Sequence, residues 1–326
     1  MNRASLPVLT VLLTASAAGL AGQDHDPNYL ATFSIIARDP ATGELGMGVQ
    51  SKAFAAGNRA MHAKGGVAIV AHQASANPMY GGVGIELIEA GYSPREALDM
   101  MVASDEGRDR RQVAILDMQG RSAAWTGTGA NDWKGHHCGV GYCAQGNILL
   151  GPEVVEAMAR SFEGSQGPLA ERLLAALDAA QAAGGDARGM QSGALLVVRP
   201  RVNGGYSDRA VDLRVDDHPR PLVELRRILR LQRSGETITD ANRRLAAGDA
   251  EGALAAAERA CELAPTNDNA WVALANIHLS AGRRAETLDA LRRAVELNPG
   301  RKRTLPRDRN FEDLFNDPDF QRIVGS

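Results

Sequence analysis

The last third of the chain repeats itself at a fixed offset. Leu245 and Leu279, Gly248 and Gly282, Ala260 and Ala294, Leu263 and Leu297, and Pro265 and Pro299 each stand 34 residues apart. A period of that length holds two amphipathic helices with their turns, and such a pair needs a neighbour to bury its apolar face. Trp271, Leu274 and Ala275 are expected to face the partner helix, Gly282 to form the tight turn, and Pro299 to end the second helix. The segment Asp308–Val324 reads as a capping helix. Fewer than three full units rarely stand alone. The preceding region or a second subunit therefore has to supply a packing surface, and the sequence allows a homo-oligomer.

From Thr32 to about Gln232 the rhythm is different, with short apolar strands among amphipathic helices. Thr32–Arg38 and Glu44–Ser51 read as strands joined by the turn sequence Asp39-Pro40-Ala41-Thr42-Gly43. Gly66–Gln73 is a continuous apolar run, the pattern of a strand buried on both faces. Tyr80–Ala90 reads as a helix stopped by Gly91; Ser93, Pro94 and Glu96 then open another, as N-cap, first helical residue and capping-box partner. Gln112–Met118 and Arg121–Thr126 form a hairpin around Gln119-Gly120, and Tyr142–Leu149 is a further strand. Helices follow at Pro152–Phe162 and Leu169–Ala183, strands at Ser192–Arg199 and Ala210–Asp216, and a last helix at Pro221–Gln232. Hairpins followed by helix pairs predict an α+β domain of antiparallel sheets covered by helices. A four-layer α/β/β/α sandwich fits this order of elements, although the count alone does not select it.

The first residues carry a separate signal. Arg3, the apolar run Leu6 to Leu13 and the small residues Ala15-Ser16-Ala17 follow the layout of a secretory signal peptide. We read residues 1–22 as that peptide, with the cut after Ala17, Ala21 or Gly22, and 23–31 as a leader-derived or propeptide segment. The apolar run is shorter than the roughly 20 residues a membrane span needs. The expectation is an exported protein, periplasmic or extracellular, with no membrane attachment after cleavage. A net charge of −3 and 4% aromatic residues give no basis for nucleic-acid binding. In an oxidising compartment Cys138 and Cys143 form a local bridge or remain two free thiols. The neighbouring His136 and His137 do not complete a recognised tetrahedral metal spacing, and neither a metal nor a cofactor is expected.

The common catalytic signatures are absent: there is no G-x-S-x-G elbow, no phosphate loop and no H-E-x-x-H. Polar residues gather instead at strand ends. Gln73, Asn77 and Tyr80 follow one strand, Thr126 ends another, and Gln145 and Asn147 lie within a third. Asp186, Arg188, Gln191 and Ser192 lead into a fourth. Buried polar groups need partners, so these residues either pair among themselves or line a ligand site. A metal site from Asp216, Asp217 and His218 would require three adjacent residues to converge, and Asp217 or His218 is expected to cap the following helix instead.

Five blocks in order, "TFSIIARDPATGELGMGVQSKAFAAG", "HQASANPMYGGVGIELI", "YCAQGNILLGPEVVEAM", "AGGDARGMQSGALLVVR" and "VDLRVDDHP", resemble the domain-of-unknown-function family numbered 1028, from Thr32 to about Leu231. That family is assigned to the N-terminal nucleophile hydrolases. The resemblance therefore implies the α/β/β/α sandwich and amide-bond hydrolysis by a threonine whose own α-amine is the base. Members that begin Met-Thr-Phe-Ser expose the Thr by loss of Met, and Thr32-Phe33-Ser34 matches them. By this likeness Thr32 is the nucleophile, and from their positions along the strands Asn147 or Gln145 is an oxyanion donor. Asn77, Tyr80, Asp186, Arg188, Gln191 and Ser192 bind or orient a small amide or peptide substrate. The segment "AWVALANIHLSAGRRAETLDALRRAVELNP" is similar to tetratricopeptide repeats, which implies either a structural appendage or a surface for a protein or peptide partner.

The chain departs from the simple pattern at one point. Signal cleavage leaves residues ahead of Thr32, and Tyr29 is a poor residue for a signal peptidase cut directly before it. A second cleavage between Ala31 and Thr32 is required for catalysis, and self-processing is known for the class. Without it the protein is a non-catalytic binding protein using the same pocket, the repeats or both. The expected layout is a nucleophile-hydrolase-like domain over 32–232 and a small all-α, tetratricopeptide-like domain over 233–326.

Overall fold

The computed structural model describes residues 29–30, 32–130, 133–200 and 208–325. The expected signal peptide and, apart from Tyr29 and Leu30, the segment 23–31 lie outside the described residues. The chain runs through β1 (Tyr29–Leu30), β2 (Thr32–Arg38), β3 (Leu45–Ser51), α1 (Ala56–Ala60), β4 (Met61–Lys64) and β5 (Ala68–Ser75). Next come α2 (Met79–Glu89), α3 (Pro94–Ser104), β6 (Arg111–Asp117), β7 (Ser122–Thr126), β8 (Trp133–Gly139) and β9 (Tyr142–Leu149). The domain closes with α4 (Glu153–Gly164), α5 (Leu169–Ala182), β10 (Ser192–Val198), β11 (Arg209–Val215) and α6 (Pro221–Ala246).

The strands form two antiparallel sheets. One has the order β11-β10-β3-β2-β9-β8; the other runs β1-β5-β6-β7, with β4 also paired to β5. Alternation along β2 divides its side chains between two cores. Phe33, Ile35 and Ala37 pack with α4, α5 and the front of α6, through residues such as Met158, Leu173, Leu177 and Leu225. Ile36 joins Met47, Val49, Ile69, Ala114 and Leu196 in a core made by both sheets. The outer face of the second sheet packs on α2 and α3, with Val70, Val113 and Ile115 against Tyr80, Leu98 and Met101. Gly46 and Gly48 let α5 lie close on β3: a Cβ at Gly46 would meet Leu173 at 2.7 Å.

The capping box forms as expected: Ser93 Oγ accepts the Glu96 N–H, and the Glu96 carboxylate accepts the Ser93 N–H at 2.8 Å. The apolar strand read as Gly66–Gln73 sits two residues later, at Ala68–Ser75. Nothing in the residue pattern marks β8, an edge strand with little apolar content, nor the short α1 and β4. The expected helix cap at residue 217 or 218 is replaced: Asp217 accepts from Gln191, while His218 Nδ1 accepts the Arg220 N–H at 3.0 Å.

The largest departure is α6. Expected to stop at Gln232, it continues without interruption to Ala246. Its front half puts Leu222, Leu225 and Leu229 on the first sheet. Its rear half puts Ile238, Ala241 and Leu245 into a second, all-helical core with α7 (Ala250–Leu263), α8 (Asp268–Ser280) and α9 (Arg284–Leu297). The 34-residue period thus starts inside α6, and Gly248 and Gly282 end corresponding helices with φ of +81° and +70°, a backbone conformation that favours glycine. Leu274 and Ala275 are buried in that core, and Trp271 packs at its edge. The expected capping helix is instead a 3-10 segment, Arg309–Leu314, followed by the two-turn helix Pro318–Val324. Among the described residues no helix is long and apolar enough to cross a membrane.

Candidate functional site

Strand register aligns polar residues across one end of the first sheet. Ser192 lies opposite Ser51, Ser51 opposite Thr32, and Thr32 opposite Asn147. Two residues further along, Ser34 lies opposite Gln145 on the same face. The second sheet sends the directly paired Gln73 and Gln112 toward this row. None of these side chains is more than 1% exposed.

Burial of so many polar groups is tolerated because they bond to one another. Thr32 Oγ1 donates to Ser51 Oγ at 3.0 Å, and Ser34 Oγ donates to Gln73 Oε1 at 2.7 Å. Gln73 Nε2 donates to the Thr32 carbonyl at 3.0 Å and to Gln112 Oε1 at 2.7 Å. Gln112 Oε1 also accepts from Asn147 Nδ2 at 3.1 Å. Gln112 Nε2 shares its hydrogens among Gly146 O, Gly135 O and Thr126 Oγ1 at 2.9–3.0 Å. Thr126 Oγ1 in turn contacts His136 Nδ1 at 2.9 Å. Gln145 Nε2 reaches Ser34 Oγ and Ala71 O at 3.4 Å. Among the described residues, Asn147 Oδ1 and Gln145 Oε1 meet no donor, and the Thr32 hydroxyl bonds to another hydroxyl rather than to a carboxylate or imidazole.

Strained backbone surrounds the row. Ala55, Ala74 and Ile148 have φ of +51°, +65° and +52°, a region costly for non-glycine residues and most so for a β-branched one. Ala74 follows Gln73 and Ile148 follows Asn147; Ala55 precedes Ala56, whose N–H donates to Ser192 Oγ at 3.1 Å. Each such residue costs about 1–3 kcal/mol, and strain of this kind collects at functional sites.

Two further clusters flank the row. Asp186 accepts the Lys52 N–H at 3.0 Å and pairs with the Arg188 guanidinium at 2.9 Å, beside the end of β9. The Gln191 N–H donates to Ser51 O at 2.9 Å, and Ser192 Oγ donates to Ala53 O at 2.6 Å. On the second sheet Asn77 and Tyr80 both donate to Asp105, which also pairs with Arg111 at 2.9 Å. Burial works to raise the Asp105 carboxyl, but hydrogen bonds from Arg111, the Gly107 N–H and Asn77 outweigh it and hold the pKa at about 2. The Tyr80 hydroxyl is pushed above the usual tyrosine range by burial and then by the Asp105 charge.

Of the residues expected from the sequence, Thr32, Asn147, Gln145 and Ser192 thus come together in the row and its neighbouring pair. Asp186, Arg188 and Gln191 border it from the 184–191 loop, while Asn77 and Tyr80 belong to the Asp105 cluster. Ser34, Ser51, Gln112, Asp105 and Arg111 were not anticipated. Thr32 and Ser34 at alternate positions of one strand were the available signal for a polar face. Cys138 and Cys143 are disulfide-bonded at directly opposed positions of β8 and β9. Among the described residues no group of three His, Cys, Asp or Glu is placed to hold a metal ion.

A two-sheet α+β domain with a buried polar row, extended by paired helices, defines the class of molecule. Residues 32–225 match the family of unknown function DUF1028, and residues 244–303 match a tetratricopeptide repeat. The first match covers more than half the chain, and the chain belongs to the DUF1028 family. The crystal structure of protein SPO2555 from Silicibacter pomeroyi, also assigned to DUF1028, is 33% identical to it. That likeness covers 61% of this chain and 84% of the other, with a TM-score of 0.56. No curated protein matches the chain.

Proposed function

We propose that the domain is a four-layer α/β/β/α sandwich of the N-terminal nucleophile type and an amidohydrolase or peptidase whose nucleophile is Thr32. The observation that carries this reading is the position of Thr32. It opens a central strand, its hydroxyl is 3.0 Å from Ser51 Oγ, and its carbonyl is held by Gln73. The polar row and the strained residues surround it, and the family match begins at the same residue. Its hydroxyl has no side-chain base among the described residues, which suits a nucleophile that uses its own terminus.

A freed Thr32 amine, with a pKa of about 7.7–8.0, takes the Oγ1 proton as Oγ1 adds to the substrate carbonyl. Collapse transfers that proton to the leaving amine and leaves an ester on Oγ1. Water then adds to the ester, the carbon–Oγ1 bond breaks, and the acid departs. The nearby amides of Asn147 and Gln145 are the groups we assign to the oxyanion, with the flanking polar residues binding substrate. The N-terminal layout and the Cys138–Cys143 bridge support export. A homo-oligomer, and a protein or peptide partner on the repeats, are compatible with this reading.

One observation favours a second reading, binding without turnover: Thr32 is completely buried in the continuous chain. Intact mass and N-terminal sequencing of protein from an exporting host decide between them. We expect wild type and Thr32→Ser to begin at residue 32 and Thr32→Ala to keep upstream residues. Upstream residues retained by all three would remove the base and leave the binding reading.

A further inference from the structure

We infer that the edge of β5 at Ala74–Ser75 is a binding groove for the main chain of an extended peptide, on the acyl side of the bond to be cleaved, and that Tyr29–Leu30 occupies it in the uncleaved chain. This deepens the Thr32 nucleophile reading and rests on it. One edge of β5 is taken by β6 from Ala68 to Ala74. On the other edge β4 covers Ala68 to Ala71, and β1 then pairs Leu30 with Ala74 and Tyr29 with Ser75. A strand this short contributes few ladder bonds of its own, so the receiving edge has to be rigid. Arg111 Nη1 donates to the Ser75 carbonyl at 2.8 Å and to its hydroxyl at 3.0 Å, while Asp105 fixes the same guanidinium. Those bonds do not involve β1 and persist when it leaves.

The chain then changes sheets. Leu30 pairs within the second sheet, whereas Thr32 already belongs to the first. Two Cα steps of about 3.8 Å keep Leu30 within about 8 Å of Thr32. The paired backbone and the nucleophile are therefore neighbours, and the chain enters Thr32 from the acyl side. In processing, Thr32 Oγ1 bonds to the carbonyl carbon of residue 31, the carbon–nitrogen bond to Thr32 breaks, and the Oγ1 proton moves to the freed amine. Water hydrolyses the ester, restoring the hydroxyl and releasing a carboxylic acid that carries the β1 sequence. The vacated edge then receives a substrate backbone in the same direction. Recognition by strand addition reads main chain more than side chains. The substrate class is thus a peptide with at least two extended residues before the acyl residue and no proline where the edge needs a donor.

The test uses the chain cleaved before Thr32. It comes from self-processing or, where that fails, from a protease site placed over residues 24–31 whose recognition lies wholly before the cut. The probe is the synthetic peptide Asp-His-Asp-Pro-Asn-Tyr-Leu-Ala, residues 24–31 of the chain, titrated calorimetrically beside copies N-methylated at Tyr29 or at Leu30. In an antiparallel pair, neighbouring residues alternate between exchanging both bonds and exchanging none, so one N-methyl peptide loses about tenfold in affinity and the other much less. Replacing both the Tyr29 and Leu30 side chains by Ala costs less than that methyl group. No binding of the parent peptide, or equal binding of all versions, overturns the groove. Failure of self-cleavage counts against the nucleophile instead, and the peptide titration on protease-cut protein still reads the groove by itself.

Discussion

Gln112 is the most heavily committed side chain between the sheets. Its oxygen accepts from Gln73 and Asn147, and its nitrogen serves three acceptors. A Leu of similar volume would leave two buried amide donors with one fewer acceptor, at about 1–3 kcal/mol for each group left unpaired. Gln112→Leu should lower the urea-unfolding free energy by about 2–4 kcal/mol, whereas Gln112→Glu retains the accepting oxygen. A loss below about 0.5 kcal/mol would mean that the network re-pairs without it. His72 makes a prediction about pH. Its Nε2 lies 2.9 Å from His62 Nε2, so at least one ring must supply a neutral acceptor. Burial, and after it the charges of His62 and Arg111, lower its pKa to about 3. The unfolded chain takes up this proton near pH 6.5 and the folded chain does not. The stabilisation is thus complete above about pH 6.5 and erodes as pH falls toward 3. Between pH 7 and pH 5 the loss from this group is on the order of 2 kcal/mol, and denaturation of His72→Gln should show a correspondingly flatter pH profile.

At the level of elements, α6 carries a glycine at position 235, where a Cβ would meet nothing within 4 Å. Its glycine brings only backbone entropy to the middle of a helix, so Gly235→Ala should stabilise the protein by about 0.5–1 kcal/mol in chemical denaturation. A neutral or negative result would show that the joint between the two cores needs that freedom. The same helix marks where the sequence was legible. Its front half reads as the helix Pro221–Gln232, and the 34-residue period marks a repeat region behind it. Nothing local said that they were one helix, because Gln232–Ser234 suits a helix interior as well as a helix end. Strands buried on both faces were readable from apolar runs, although β5 is displaced by two residues. The edge strand β8, Trp-Lys-Gly-His-His-Cys-Gly, lacks the alternation that identifies a strand. The site was legible where polarity interrupts an apolar strand, as at Gln145 and Asn147. Gln112 and Ser51 stand at strand ends, where a polar residue reads as solvent-facing until a second sheet is laid over it. The Asp105 cluster joins residues from two loops, α2 and β6, a convergence that only tertiary structure produces.

On the scale of the whole molecule, α6 is the shared wall of two cores. Its front half closes the helical layer over the first sheet, where Arg233 also pairs with Glu171 of α5 at 2.7 Å. Its rear half is the first helix of the repeat array. Ser234 Oγ donates to Ala260 O at 2.8 Å and accepts from Asn267 Nδ2 at 3.0 Å, which ties it to α7 and to the turn before α8. Ile238, Ala241 and Leu245 then fill one side of the helical core. An array of so few helix pairs has little apolar surface to spare. A fragment of residues 233–326 should therefore melt as a cooperative helical unit, followed by circular dichroism. A fragment of 247–326 lacks that wall, exposes Ala253, Ala257 and Leu274, and should show low helicity without a cooperative transition. Equal melting of the two fragments would show that α7 to α9 close their own core and that the continuity of α6 only tethers them. The expected difference instead makes the repeats dependent on the sheet domain's last helix, so that a load or partner on the repeats acts directly on the helical layer that backs the strand carrying Thr32.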